Sequence, residues 1–82
     1  MFYVYILRTS SNTLYVGQTN NLEKRIEEHR SKTIKSSKYV RSFESFELVY
    51  SEKYETRSEA MKREYELKQL TKAQKEKLIQ GL

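Results

Sequence analysis

The sequence predicts an α+β fold, a three-stranded antiparallel sheet flanked by helices in the order β-β-α-β-α-α. Three observations carry that expectation. Two β-branched and aromatic runs near the start are separated by the turn-forming Ser10-Ser11-Asn12. One later stretch, from Phe46 to Ser51, alternates along its length, and three helix-start signals (Asn20 with Glu23, Thr56 with Glu59, Thr71 with Gln74) fall around it.

The first strand is expected over 2–8 (FYVYILR) and the second over 13–17 (TLYVG), joined as a hairpin. Side chains alternate along a strand, so Phe2, Val4 and Ile6 take one face and Tyr3, Tyr5 and Leu7 the other. Both sets are apolar or aromatic, which predicts a sheet covered on both sides. Matching those sets across the hairpin puts Leu14 and Val16 on one face and Tyr3, Tyr5 and Tyr15 together on the other. The first helix is expected over 20–30 with Asn20 as N-cap and Leu22, Ile26 and His29 directed inward. At about 100° per residue, Arg25 and His29 edge that stripe one turn apart on the same side. In the third strand Phe46, Leu48 and Tyr50 are expected to share a face. The second helix, capped by Thr56 and running to about Leu70, presents Ala60, Met61 and Leu67, with Glu64 about 40° from Ala60 and so inside the apolar stripe. A carboxylate there is the oddest local feature of the chain. Thr71 then opens a short basic helix carrying Leu78 and Ile79.

Eighty-two residues make one domain, 1–82, near the lower limit for a self-sufficient core; such a chain buries about 60–65% of its unfolded surface. With no cysteine there are no disulfides and no thiolate-bound zinc, and a reducing cytoplasm is the expected home. All 11 acids are Glu, which removes the aspartate clusters of two-metal nucleases. A single histidine excludes H-E-x-x-H zinc sites, and two glycines exclude the glycine-rich phosphate loops. No segment reads as a signal peptide or membrane span, and a monomer is expected. The net charge of +5 is localised: Arg30, Lys32, Lys35, Lys38 and Arg41 fall in the window 30–43, which holds no acid, while the rest of the chain balances. Tyr39 and Phe43 are interleaved with these charges, a pattern that suits a polyanion as well as a solvated loop.

Five polar side chains are aimed at covered surfaces: Tyr5 and Tyr15 from the hairpin, Arg25 and His29 from the first helix, Glu64 from the second. Singly, each has a structural explanation. A strand tyrosine satisfies its hydroxyl at the rim, an arginine stem lies along a sheet, and Glu64 pairs with Lys68 at i+4. Together they form a constellation that one small domain seldom assembles without use. A fixed arginine neutralises charge growing on a phosphate, one glutamate can hold one Mg²⁺ that keeps several waters, and a tyrosine or histidine can orient or deprotonate an attacking water.

The chain resembles the GIY-YIG endonuclease domains found in excision-repair, homing and junction-resolving nucleases, and most of all the small stand-alone bacterial members and the catalytic subunit of the structure-specific junction nuclease. The likeness runs from Phe2 to about Ile79. Tyr3-Val4-Tyr5 matches the first motif and Tyr15-Val16-Gly17 the second; Arg25, His29 and Glu64 follow in the family's order and spacing. The resemblance implies a DNA endonuclease with one divalent cation, Mg²⁺ or Mn²⁺, bound through Glu64. It further implies that Arg25 stabilises the transition state and that Tyr5, Tyr15 or His29 activates the water. By the same likeness, Gly17 lets backbone approach the site. Tyr3 stands where the first motif has its glycine, Gln18 where repair nucleases have lysine, and no asparagine follows Asn21.

The family's larger members carry a separate domain that selects DNA, and 82 residues leave no room for one here. Binding is therefore expected from the basic window and the lysine-rich last helix, or from a partner protein. Arg8, Lys32, Lys35, Lys38, Tyr39 and Arg41 are the candidates for backbone phosphate contact. RNA stays open as a substrate beside DNA. Two other readings stand beside the nuclease: a nucleic-acid-binding module with negligible turnover unless a partner joins it, and a protein-interaction domain with a basic face.

Overall fold

Asn12 sets the hairpin from which the fold is built. In the computed structural model, which describes residues 1–31 and 45–81, β1 (Phe2–Thr9) and β2 (Leu14–Thr19) are joined by the four residues Ser10 to Thr13. The Asn12 N–H donates to the Thr9 carbonyl at 2.9 Å and Asn12 itself adopts φ 62°, a left-handed conformation that asparagine tolerates better than most residues. A turn closed in this way fixes the register. Tyr5 stands opposite Gly17, and Ile6 opposite Val16.

The remaining elements among the described residues are α1 (Leu22–Ser31), β3 (Phe46–Tyr54), α2 (Arg57–Gln69) and α3 (Lys72–Gln80), in the expected order. The sheet is antiparallel with strand order β2-β1-β3. Central β1 is buried on both faces, as its doubly apolar sequence requires. On one side Val4, Ile6 and Val16 pack with Ala60 and Leu67 of α2, with Leu78 and Ile79 of α3 closing the cluster. On the other, Tyr5 and Leu7 pack with Tyr15, Phe46 and the α1 residues Leu22 and Ile26.

Four details differ from the sequence expectation. The N-cap of α1 is Asn21 and not Asn20: the Asn21 side-chain oxygen accepts from the Lys24 N–H at 3.1 Å, which uses the same chemistry one residue later. Both β2 and β3 run farther than expected, to Thr19 and Tyr54, because β1 offers a ladder to pair with along its whole length. Phe46, Leu48 and Tyr50 do not share a face. Leu7 pairs with Leu48 and Ile6 with Tyr50, so Val49 is an extra residue, a bulge that turns the second half of β3 over. Phe46 therefore joins the α1 side and Tyr50 the α2 side. Finally, Met61 is 49% exposed, because α2 lays a narrow stripe on the sheet and Ala60 and Leu67 fill it.

The starts of α2 and α3 behave as read. Thr56 accepts from the Glu59 N–H at 3.2 Å, and Thr71 with Gln74 forms a complete capping box. Among the described residues no helix is long and apolar enough to cross a membrane. The window 32–44, with Lys32, Lys35, Lys38, Tyr39 and Arg41, lies outside the described residues.

Burial ranks the two apolar residues of α2 sharply. Leu67→Ala should lower stability by about 2–5 kcal/mol, whereas Met61→Ala should cost less than about 1 kcal/mol; urea unfolding of the two variants compares them directly.

Candidate active site

Tyr5 points from the central strand across β2 and is 1% exposed. Its ring lies against the backbone at Gly17: a Cβ built there would sit 2.5 Å from the Tyr5 oxygen and 2.6 Å from its Cζ. The glycine is needed for this close approach. Over the same face, α1 brings Arg25 and His29 one turn apart. The His29 ring is 1% exposed and its Nε2 lies 3.2 Å from the Tyr5 oxygen. Tyr15 completes an aromatic cluster, with ring centroids 6.5 Å from Tyr5 and 5.9 Å from His29. Phe46 lies edge-on to His29 at 5.8 Å.

The half-buried Arg25 guanidinium reaches the Tyr5 hydroxyl and also pairs with Glu28 at 3.3 Å. A guanidinium can only donate, so the Tyr5 oxygen accepts from Arg25 and its own proton is free to go to His29 Nε2. With the Tyr5 proton directed to Nε2, His29 is the tautomer protonated on Nδ1, and with Nε2 donating to Tyr5 it is the other; Nδ1 has no hydrogen-bond partner among the described residues. Burial pushes the Tyr5 hydroxyl up to about 12, against the pull of Arg25, with Tyr15 and Glu64 adding to the rise. Burial and then the Arg25 charge push His29 down to about 4. At neutral pH, phenol and imidazole are both uncharged.

Glu64 approaches from the other side of the sheet, on the flank of α2 nearer β2, and its charge acts on the Tyr5 hydroxyl. Its side chain is 21% exposed and holds the Lys68 ammonium at 3.0 Å. The pairing of Glu64 with Lys68 read from their spacing is therefore present, and so is the proximity to Tyr5. Among the described residues no three His or Glu side chains cluster as a metal cage. A lone, partly buried carboxylate that already attracts a cation suits a divalent ion that keeps most of its own waters.

The sheet thus brings Tyr5, Tyr15, Gly17, Arg25, His29 and Glu64 to one place, the edge formed by β2. Arg8 is elsewhere. Its guanidinium is gripped by Glu76 of α3 at 2.6 and 2.8 Å and by Asn12 at 2.7 Å, tying the hairpin tip to the last helix.

The sequence matches the profile of the GIY-YIG catalytic domain over residues 1–77. The chain belongs to the GIY-YIG family. Among its relatives, the UPF0213 protein OB0043 of Oceanobacillus iheyensis is 49% identical over 95% of this chain and 88% of its own length. The UPF0213 protein VNG_2274C of Halobacterium salinarum is 40% identical over 96% of this chain and all of its own. The solution structure of the UPF0213 protein BH0048 from Bacillus halodurans superposes with a TM-score of 0.62 at 38% identity, over 98% of this chain and 84% of that one. That of EF2693 from E. faecalis gives 0.64 at 37% identity, over 96% and 82%.

Reading the sequence missed one polar cluster outside this GIY-YIG site. Glu52 accepts hydrogen bonds from the hydroxyls of Tyr50 and Tyr54 and from Arg63 at 2.9 and 3.2 Å. Although burial opposes it, Arg63 and the two phenols hold the Glu52 carboxyl below its usual range. Tyr50, Glu52 and Tyr54 alternate on one face of β3; the available signal was that Tyr-x-Glu-x-Tyr spacing, which an expected strand end at Ser51 cut short.

Two measurements follow from this geometry. Gly17→Ala should cost about 1–3 kcal/mol by forcing Tyr5 out of place, and a Tyr5→Val change in the same protein should recover part of that loss in a double-mutant cycle. His29 is the only histidine. Because the folded state resists protonating it, stability should be full above about pH 6.5 and fall as pH drops toward 4, by up to about 3 kcal/mol. The difference between the stability curves of wild type and His29→Phe from pH 7 to 4.5 would isolate it, since the carboxylates titrate in both proteins and only the histidine share of the slope is lost in the variant.

Proposed function

We propose that the protein is a divalent-cation-dependent DNA endonuclease that hydrolyses phosphodiester bonds at the β2 edge. The observation that carries this reading is the chain of contacts from Arg25 to Tyr5 to His29, with the Glu64 charge acting on the same phenol. A phosphodiester placed beside Arg25 would find a guanidinium already fixed by Glu28 and Tyr5, so its growing negative charge is met without reorganisation. Glu64 would hold Mg²⁺ or Mn²⁺, whose chemistry at the site is to neutralise phosphate oxygens and polarise a bound water.

Tyr5 starts as a neutral phenol and is no ready-made base. Its hydroxyl suits a relay: the oxygen takes a proton from the attacking water as the Tyr5 proton passes to His29 Nε2. Substrate itself favours that transfer. The positive charge of Arg25 is a cause of the low His29 basicity, and a phosphate paired with Arg25 cancels it, raising His29 when the reaction needs a proton acceptor. Tyr15, packed against both rings, fixes their orientation. In this reading the chain acts in a reducing cytoplasm, with a partner protein supplying any selection among DNA structures.

Arg25→Ala should reduce cleavage of labelled DNA about 10²–10³-fold, the usual effect of deleting one fixed electrostatic donor, while costing only about 1 kcal/mol of stability, since His29 remains beside the Tyr5 hydroxyl. Glu64→Gln should abolish both metal-dependent cleavage and Mn²⁺ binding seen by electron paramagnetic resonance. Wild-type cleavage by either variant would defeat the assignment.

A further inference from the structure

We propose that the open edge of β2 is the track on which a nucleic-acid strand lies, with Arg57 and Lys75 holding its phosphates on either side of Glu64. The proposal rests on the nucleic-acid reading above and deepens it by naming the path and its anchors. As the outer strand of the order β2-β1-β3, β2 pairs on one side only among the described residues. Two grooves border it, one at each end. The first is lined by Gln18, Thr19, Asn20, Phe2 and Arg57, the second by Leu14, Tyr15, Val16, Lys68 and Lys75. Between them lies Gly17, with the Tyr5 hydroxyl laid over it and Glu64 close by. The order along the edge is therefore cation, reactive centre, cation. At about 3.3 Å per residue the strand runs roughly 17 Å, comparable to about five nucleotides of one duplex strand at 3.4 Å each.

Charge is sorted around α2 to match. At about 100° per residue, Arg57, Glu64 and Lys68 fall on the flank toward β2, whereas Glu59, Arg63 and Glu66 fall on the flank toward β3. Arg63 lies there with its guanidinium bound to Glu52. Arg8, Arg25, Arg63 and Lys68 are all engaged in ion pairs. Among the described residues Arg57 and Lys75 make none, and Arg57 is exposed while Lys75 is half-buried along its stem. Two uncommitted cations in the grooves that flank one carboxylate are complementary to a chain of phosphates, each contact releasing a counterion from the nucleic acid.

The test uses the full chain carrying Glu64→Gln, which binds without cleaving, and fluorescence anisotropy with labelled duplex and single-stranded oligonucleotides across a salt series. Adding Arg57→Gln and Lys75→Gln together should lower the slope of log affinity against log salt by about 0.9 per residue on duplex and about 0.7 per residue on single strands. Lys75→Arg should restore the second contribution, and Lys53→Gln, on the opposite edge strand, should leave the slope where it was. Far-UV circular dichroism and the urea midpoint check that the variants are folded. An unchanged slope in the double variant, or an equal fall with Lys53→Gln, would overturn the track while leaving nucleic-acid binding intact. No binding by the Glu64→Gln chain or by wild type would overturn the track and the nucleic-acid reading together. A flattened slope with no metal-dependent cleavage by wild type would support the track and remove the nuclease.

Discussion

The position of one phenol oxygen constrains nearly everything around it. Tyr5 sits on the central strand, so its ring cannot escape to solvent, and a buried hydroxyl without partners would cost about 1–3 kcal/mol. Its ring finds room only where β2 has no side chain, at Gly17, and its oxygen finds partners only where α1 supplies Arg25 and His29 from one helical face. Hairpin register, the glycine and the placement of α1 are thus three answers to one requirement. A shift of one residue in the β1-β2 pairing would set a different side chain opposite Gly17 and dissolve the arrangement.

The other face of the sheet fixes the helix that carries Glu64. Ala60 and Leu67 seat α2 against Val4, Ile6 and Val16, and the Glu52 cluster grips Arg63 on the flank nearer β3. With one flank held, the other is presented at the β2 edge at a fixed height. A helix anchored by apolar contact alone could roll a little about its axis; a carboxylate bound by two phenols and a forked guanidinium leaves less freedom for that roll. The bulge at Val49 is part of this arrangement, because it turns Tyr50, Glu52 and Tyr54 toward α2 while leaving Phe46 to cover His29.

What could be read in the sequence followed strong local rules. Alternation with both faces apolar identified a sheet covered on both sides, and threonine caps with Glu59 and Gln74 three residues on marked α2 and α3. The apparent anomaly of Glu64 within an apolar stripe pointed to the site. What was hidden depended on pairing between distant segments. Val49 reads as an ordinary strand valine until β1 is laid beside it, and Met61 reads as core until the width of the contact on the sheet limits α2 to Ala60 and Leu67. Asn20 and Asn21 are equivalent as letters, and only the direction of chain entry chose the second as cap. The pairing of Arg8 with Glu76 could not be read, because Glu76 is far along the chain and local spacing carries no trace of such a pair.

Among the described residues β2 has no partner on its outer side, and such a strand offers its backbone to any other strand that approaches, copies of the same chain included. The β2 sequence, Leu14-Tyr15-Val16-Gly17-Gln18-Thr19, contains no charge and no proline to discourage this. The protection comes from outside the strand. Two copies meeting antiparallel along this edge would press the Lys75 end of one against the Arg57 end of the other, and repulsion between like charges at close range opposes that pairing. The helices therefore do for β2 what its own residues do not: they set like charges against self-pairing along that edge.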